Sequence, residues 1–329
     1  MKSLQEELDR ITVGNPTTFR NLTVFPLLRP ERDREEPEYL LAEDALAQGT
    51  ARITELGEGG SVPELRLEND SGKPVLLFDG EELTGAKQNR VLTLTILARP
   101  GAVTVIPVSC VEARRWHRMS DTFKTSEQVM YARARAAQTS QVSYSMRSTG
   151  TRRSDQRAIW HELDQTSSRM SASSPTGAMS AVFAEHAEAT EEFVRAFDCA
   201  PHQAGVAFWI GGKFAGLDLL DHPRTLRRLF PKLVRGYALD AVGEAGAESA
   251  APEADDSVQA ILDGIGQAEN FTQDAAGLGV DVRFHGAELT GAALWERDRY
   301  VHISAFPKAA SGPEESSDPL MSRLAHLFG

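Results

Sequence analysis

The chain has 329 residues and a formal net charge of −12 at pH 7, which disfavours binding of its whole surface to nucleic acid or to an anionic membrane. Hydrophobic residues make up 41% of the chain and charged residues 25%, a balance typical of folded globular proteins that argues against disorder throughout. This length allows one large domain or two of ordinary size. We expect no nucleic acid and no membrane among the partners.

The predicted compartment is the cytoplasm. Cys110 and Cys199 are too few for a disulfide framework. The first residues lack the apolar stretch of a secretory signal and soon become acidic. No apolar run approaches the roughly 20 residues that span a bilayer.

Residues 19–112 are predicted to be rich in β-strands. Short runs with β-branched or alternating apolar residues are separated by Gly, Pro, Asn or Asp. The predicted strands cover residues 19–28, 51–56, 64–68, 74–78, 90–97 and 102–108, with one short helix at about 42–48. This spacing favours antiparallel pairing in a sandwich or a barrel.

Between residues 125 and 198 the composition shifts to Ala, Gln, Glu, Arg and Met, with few Gly or Pro. The pattern predicts helices at about 126–147, 154–170 and 175–197. We interpret this segment as a helical insertion between two β-rich parts of the chain.

Strands return at residue 203. Gln203–Ile210 and Lys213–Leu220 flank Gly211-Gly212, a dipeptide suited to a two-residue hairpin turn. Helices at about 223–240 and 256–269 follow, and then strands at about 280–285, 288–295 and 299–306. Residues 242–256 are predicted to form a solvated loop.

Together these segments predict an α+β fold. Its mainly antiparallel β core, sandwich-like or barrel-like, is built from N- and C-terminal strands, with the helical segment inserted between them. We expect a single compact domain over residues 19–306, composed of a β-rich part (19–112), a helical part (125–198) and an αβ part (203–306), and a loose tail at 309–329.

Two distant segments resemble each other. Residues 78–86 match residues 284–292 at seven of nine positions. The match has two interpretations: two related β units within one fold, or a shared hairpin shape with glycine at turn or close-approach positions.

The densest polar segment, Asp79–Arg90, joins two predicted strands, and its glycines allow a ligand to approach the backbone. Glu81 and Glu82 are suited to bind a hard cation or to act as acid and base, and Lys87 with Arg90 to bind an anion. The candidate ligand-binding residues are Glu82, Lys87, Gln88, Asn89, Arg90 and Arg115. The alternative is a solvated turn in which Glu82 pairs with Arg90.

The sequence offers catalytic candidates as well. Asp79, Glu81 and Glu82 fit a metal-assisted hydrolase, and Cys110 fits a thiol-dependent one. Two arginines follow Cys110 closely, and positive charge would lower the pKa of its thiol. The alternative for Cys110 is a small buried hydrophobic residue. No motif indicates a cofactor, and no spacing of ligand residues predicts a metal site.

Positive charge is concentrated in two segments. Residues 114–157 hold ten Lys or Arg against three Asp or Glu, and residues 224–235 hold five basic residues and no acid. An anionic ligand or a phosphate-bearing partner would be attracted to such surfaces. The alternative is a solvated basic face balanced by the acidic residues after Asp240.

A set of short runs carries a family resemblance. They are residues 75–83, 85–90, 106–112, 115–116, 154–156 with Trp160, 174–177, 216–218 and 237–240. Over about residues 19–306 this pattern resembles the bacterial family of ARG and rhodanese-phosphatase-superfamily-associated protein domains. The resemblance implies a domain of unknown activity, found in association with ADP-ribosylglycohydrolase-like proteins and a rhodanese-phosphatase fusion. It implies no catalytic residue, and only by analogy a role with nucleotide or ADP-ribose-type ligands.

The leading hypothesis is therefore a protein that binds or senses a small anionic nucleotide-like ligand of the ADP-ribose or NAD type. The first alternative is a metal-assisted or thiol-dependent hydrolase. The second is a scaffold that binds a protein partner through its basic helices.

Overall fold

The computed structural model describes residues 1–29, 36–57, 61–244 and 254–308. Within these residues the fold is α+β, with mostly antiparallel sheets, as predicted. The helices are α1 (Leu4–Leu8), α2 (Ala42–Ala47), α3 (Ala132–Thr149), α4 (Gln156–Arg169), α5 (Met179–Glu185), α6 (Ala187–Ala196), α7 (Pro223–Gly243) and α8 (Ala254–Gly266).

The strands belong to a large sheet, a small sheet and a barrel. They are β1 (Thr12–Val13), β2 (Thr17–Phe19), β3 (Leu22–Leu28), β4 (Leu40–Leu41), β5 (Ala51–Glu55), β6 (Glu64–Asn69), β7 (Val75–Leu77), β8 (Glu81–Gly85), β9 (Arg90–Leu92), β10 (Ile96–Ala98), β11 (Ala102–Cys110), β12 (Phe123–Val129), β13 (Gln203–Ile210), β14 (Lys213–Leu220), β15 (Glu269–Asp274), β16 (Val280–His285), β17 (Leu289–Glu296) and β18 (Arg299–Pro307).

The large sheet joins the two ends of the chain. It has nine strands in the order β1-β3-β13-β14-β18-β17-β16-β15, and β2 also pairs with β3. Trp209 packs on one face with residues of α1 and α8, whereas its neighbour Phe208 packs on the other face with residues of α7. Because successive side chains in a strand face opposite sides, β13 is buried on both. The predicted β core from N- and C-terminal strands is confirmed.

The barrel is formed by β-rich residues of the first part of the chain. Its strands close in the order β11-β6-β5-β12-β8-β9. The interior is apolar and includes Ile53, Leu67, Leu83, Leu92 and Ile106. A three-stranded sheet, β10-β7-β4, lies outside this closed path. The mouth of the barrel, where β5, β8 and β11 end, carries a group of polar residues that includes Glu55 and Arg90.

Some predicted elements were wrong in type or extent. The segment 126–129, predicted as the start of a helix, belongs to β12, which closes the barrel by pairing with β5 and β8. The predicted helix 175–197 is two helices, α5 and α6, with His186 between them. Residue 269, predicted as helical, begins β15. For β12 and β15, pairing with neighbouring strands overrides local helix propensity.

The predicted turn of the β13–β14 hairpin is confirmed. Gly211 and Gly212 have φ values of +54° and +77°, the left-handed conformation that a primed turn requires. Of the predicted loop 242–256, residues 242–243 continue α7 and 254–256 begin α8. Residues 245–253 and the predicted tail 309–329 lie outside the described residues.

The two similar segments do not share a hairpin. Residues 284–292 connect β16 and β17, which pair with each other, whereas residues 78–86 connect β7 and β8, which belong to the small sheet and the barrel. One of the two shared glycine positions, Gly85 and Gly291, has a common reason in both segments. A Cβ atom would lie 2.5 Å from the Thr122 carbonyl oxygen at Gly85 and 2.3 Å from the Ser304 carbonyl oxygen at Gly291.

In the described parts of the chain, no helix combines the length and apolarity needed to span a membrane.

Candidate functional site

Successive side chains of a strand point to opposite faces, and this divides the predicted site residues into a group inside the barrel and a group outside it. In the β8–β9 pair, Leu83 lies opposite Arg90, and Glu82 lies opposite Val91. Leu83 belongs to the apolar interior of the barrel, so Arg90 faces inward and Glu82 faces outward. The proposed pairing of Glu82 with Arg90 is therefore wrong, because the wall of the barrel stands between the two side chains.

The inner group lies at the barrel mouth and consists of Glu55, Lys87, Gln88, Arg90 and Trp116; we call it the barrel-mouth cluster. Arg90 is fully buried and donates from Nη1 to Gln88 Oε1 at 2.9 Å. Its Nη2 is 4.0 Å from Glu55 Oε1. Within the described residues, Arg90 Nε and Nη2 and Glu55 Oε2 make no hydrogen bond. Buried donors without acceptors are rare in proteins and costly.

An aromatic ring lies next to these cations. The Lys87 Nζ atom is 5.4 Å, and the Arg90 Cζ atom 5.8 Å, from the centroid of the Trp116 ring, distances that allow cation–π attraction. Trp116 remains 49% exposed. The barrel-mouth cluster thus offers solvent an aromatic surface directly beside a buried guanidinium.

Cys110 lies on the inner side as well, opposite Arg90 in the β9–β11 pair. Its thiol is buried and donates to Gln88 Oε1 at 3.0 Å. Burial raises the pKa of Cys110, although Arg90 acts in the opposite direction. A thiol with a raised pKa carries little thiolate, the reactive form. The geometry disfavours Cys110 as a nucleophile.

The outer group consists of Glu82, Asn89 and Ser126; we call it the outer-wall cluster. Glu82 is fully buried, accepts from Asn89 Nδ2 at 3.3 Å on one oxygen and from the Ser126 hydroxyl at 3.0 Å on the other. Burial raises the pKa of Glu82 to about 7, with opposing effects from these two hydrogen bonds and a further increase from the charge of Glu112. Glu82 is thus a buried carboxyl group whose hydrogen-bond donors are neutral.

Arg115 forms hydrogen bonds to several groups on the outer side of the barrel wall. Its Nε donates to Glu112 Oε2 at 2.7 Å, and the remaining donors bind Ala86 O, His117 O, Gly85 O and Asn89 Oδ1. A guanidinium has five N–H donors, and all of them are used. Arg115 is therefore assigned a positioning role: it fixes the loop 85–89 and, by occupying Asn89 Oδ1, directs the Asn89 amide NH₂ toward Glu82.

A cleft of about 450 Å³ lies on this outer side, with Thr84, Asn89, Glu112 and Lys124 among its lining residues. Thr84 and Lys124 face each other in the β8–β12 pair, and Glu82 and Ser126 follow on the same face at a spacing of two residues. The outer-wall cluster therefore continues the surface that forms one side of the cleft.

Asp79 and Glu81 do not join either cluster. Glu81 accepts from Lys232 Nζ at 3.0 Å, and Lys232 Nζ is also 3.0 Å from Glu43 Oε2. Asp79 lies 3.2 Å from Arg135 Nη2. The acids and cations of the 79–90 segment therefore do not converge on one site, since consecutive side chains of residues 79–82 enter different environments.

The residues around Asp79 form a buried network that sequence analysis missed. Arg135 binds both carboxylate oxygens of Asp218, at 2.8 and 3.0 Å, and His302 Nε2 lies 3.1 Å from Asp218 Oδ1. His302 Nδ1 is 2.7 Å from the Thr95 hydroxyl. Burial opposes ionisation of Asp218, but the charge of Arg135 and the His302 hydrogen bond hold its pKa below the usual range. An acid inside the apolar run Leu217–Leu220 was the available signal.

The basic face of α7 is neutralised by acids from other elements. Arg228 lies 2.8 Å from Asp44, Arg235 lies 3.0 Å from Glu191, and Arg224 pairs with Glu36. All three acids precede the helix in the chain and are separate from the acidic segment expected after Asp240, most of which lies outside the described residues. Among the described residues, no group of three or more His, Cys, Asp or Glu side chains is placed to hold a metal ion.

The sequence pattern of the ARG and Rhodanese-Phosphatase-superfamily-associated Protein domain, ARPP-1, matches residues 10–306. The chain belongs to this family. No curated protein and no solved structure matches the chain significantly. The ARPP-1 match contains both clusters and the buried network, and it specifies no reaction. A functional assignment for this ARPP-1 domain therefore has to start from the chemistry of its own residues.

Proposed function

We propose that this ARPP-1 domain binds a small anionic nucleotide-like ligand, of the ADP-ribose or NAD type, at the barrel-mouth cluster. The observation that carries the proposal is the buried guanidinium of Arg90, whose Nε and Nη2 make no hydrogen bond to any described residue. The N–H groups of these two guanidinium nitrogens can bind two oxygens of a phosphate group.

The neighbours of Arg90 fit the rest of such a ligand. Lys87 adds a second positive charge within range of the same ring as Arg90. Trp116, which is 49% exposed, offers a face on which a purine or nicotinamide ring can stack, an interaction worth about 1–3 kcal/mol per base. Gln88 fixes the orientation of Arg90 through Nη1. Charge and stacking surface lie side by side, as a nucleotide requires.

The test measures thermal shifts and calorimetric affinities for ADP-ribose, NAD, AMP and inorganic phosphate. A bound ligand at 100 times its dissociation constant stabilises the folded state by about 2.7 kcal/mol. We expect Trp116→Ala to weaken ADP-ribose binding about 5- to 160-fold, the loss of one stacking contact, and Lys87→Gln to weaken the binding of all phosphate-containing ligands. Tyr144→Ala, at an aromatic residue 74% exposed on α3, and Lys213→Gln are matched controls and leave affinity unchanged.

The Arg90→Met variant distinguishes a ligand-binding role of Arg90 from a purely structural role. If Arg90 is a ligand-binding residue, the folded variant loses phosphate binding, whatever the change in unfolding free energy that follows from leaving the buried Glu55 carboxylate without its partner. If Arg90 only braces the barrel mouth, unfolding free energy falls and ligand responses do not change. Absence of a shift with every ligand in the panel would refute the proposal.

A further inference from the structure

The hydroxyl group of Ser126 is held in a defined orientation. Ser126 Oγ accepts a hydrogen bond from the backbone N–H of Gln128 at 3.1 Å, so its own hydrogen is free to donate to Glu82 Oε2 at 3.0 Å. A hydroxyl oxygen has two lone pairs, and Gln128 uses one of them. The second lone pair remains for attack on an electrophile.

The backbone at this point departs from regular pairing. The register of the β8–β12 pair shifts between Thr125 and Val129, and such irregularities often redirect a side chain next to an active site. Ser126 is half-buried. Its hydrogen bond to the outward-facing Glu82 places its side chain on the outer side of the barrel wall, two positions along the chain from Lys124, a residue lining the 450 Å³ cleft.

The carboxyl group that faces Ser126 is itself positioned. Asn89 Nδ2 donates to Glu82 Oε1 at 3.3 Å, and Arg115 fixes the Asn89 amide through a hydrogen bond of 3.0 Å to Oδ1. Nucleophile, base and orienting group thus form a chain of hydrogen bonds, the arrangement that activates serine hydroxyls in enzymes.

We propose that Ser126 is a nucleophile, Glu82 its general base and Asn89 the positioning residue, in a site that hydrolyses small esters bound in the outer cleft. Ser126 Oγ forms a bond to the ester carbonyl carbon, and its proton moves to Glu82. The bond to the alcohol oxygen breaks, and the alcohol leaves with the proton from Glu82. Water then attacks the acyl group on Ser126, with Glu82 accepting and returning a proton, which releases the acid.

The electrostatic environment suits this role. Burial raises the pKa of Glu82 to about 7, and the nearby Glu112 charge adds to the effect, while Arg115 neutralises Glu112 at 2.6 Å. A base whose pKa is near the working pH transfers protons efficiently. The site lies outside the barrel wall, so it does not depend on ligand binding at the barrel-mouth cluster.

The experiment uses the full chain and diisopropyl fluorophosphate. Attack by Ser126 Oγ forms an O–P bond, the P–F bond breaks, fluoride leaves and the proton goes to Glu82. We expect a mass increase located on the Ser126 peptide, with a labelling rate that rises with pH around a midpoint of about 7, set by ionisation of the base. Hydrolysis of p-nitrophenyl acetate should be lost in Ser126→Ala.

Glu82→Gln should lower the labelling rate about 100-fold, the usual contribution of a general base. Its thermal unfolding temperature reports whether the variant is folded, and Glu82→Asp, with a shorter carboxylate, provides a second variant. Ser143→Ala is the control, because Ser143 is a half-buried serine whose hydroxyl donates to a backbone carbonyl, Thr139 O at 2.8 Å, and not to a carboxylate. An unlabelled Ser126 in the wild-type protein, or an unchanged rate in folded Glu82→Gln and Glu82→Asp, would overturn the proposal.

Discussion

Protonation of the buried Glu82 carboxyl group makes the stability of the folded protein depend on pH. Burial raises its pKa from 4.5 to about 7, so the folded state holds the proton more tightly than the unfolded chain. Between these two pH values the folded state binds more protons, and stability falls as pH rises. A shift of this size corresponds to about 3 kcal/mol, present below pH 4.5 and lost by the time pH passes 7.

Glu82→Gln tests this coupling. The amide keeps an oxygen acceptor at the same place but does not ionise, so the variant should be about 3 kcal/mol more stable relative to wild type at pH 8 than at pH 4.5. Urea unfolding at the two pH values measures the difference. A stability difference that is the same at both would show that Glu82 ionises normally in the folded protein.

Closeness in the sequence does not by itself decide whether two charged side chains meet. Glu82 and Arg90 lie in adjacent antiparallel strands and carry opposite charges, yet they occupy opposite sides of the wall. A one-position difference in cross-strand register decides this. Arg90 lies opposite Leu83 rather than Glu82, and that single displacement creates two separate polar clusters.

At the scale of elements, the β13–β14 hairpin has a turn whose structure is determined by the residues of the turn itself. Gly212 has a φ of +77°, a conformation that costs an L-residue about 1 kcal/mol or more. We expect Gly212→Ala to lower the unfolding free energy by about 1 kcal/mol. The measurement is chemical denaturation monitored by circular dichroism.

Gly72→Ala is the matched control for the hairpin. Gly72 also lies in a turn, but it has no positive φ, and a Cβ there would meet nothing within 4 Å. Alanine at such a site is neutral or stabilises by about 0.4–1 kcal/mol through the unfolded chain. Equal effects of the two substitutions would contradict the assigned turn geometry.

At the scale of the whole molecule, the buried network ties the separately predicted parts together. Arg135 lies on α3, Asp218 on β14, His302 on β18, and Asp79 in the turn that leads into the barrel. Breaking a buried ion pair by removing one partner typically costs about 3–5 kcal/mol. The helical, barrel and sheet residues therefore share one set of interactions within the described structure.

We accordingly propose that residues 19–306 unfold as one cooperative unit. Urea transitions followed by far-ultraviolet circular dichroism and by tryptophan fluorescence should coincide. The probes are well distributed, since Trp116 lies at the barrel mouth and Trp209 and Trp295 lie in the core of the large sheet. Two resolved transitions would show that the barrel and the large sheet are separate domains.

The sequence by itself determined the features that depend on neighbouring residues. The α+β class, the Gly211-Gly212 turn and most strand positions follow from alternation and turn chemistry, which act over a few residues. The family resemblance was also readable from short runs of sequence and is confirmed by the match over residues 10–306.

Only the tertiary structure decided how the polar residues are combined. Closure of the barrel by β12 replaced the start of a predicted helix and brought Ser126 to Glu82 across 44 positions of the chain, while the register of the β8–β9 pair placed Arg90 on the other side of the wall from Glu82. Arg135 and Asp218, 83 positions apart, meet because strands from both chain ends share one sheet. Such contacts depend on long-range pairing and register, which local propensity and charge pattern do not specify.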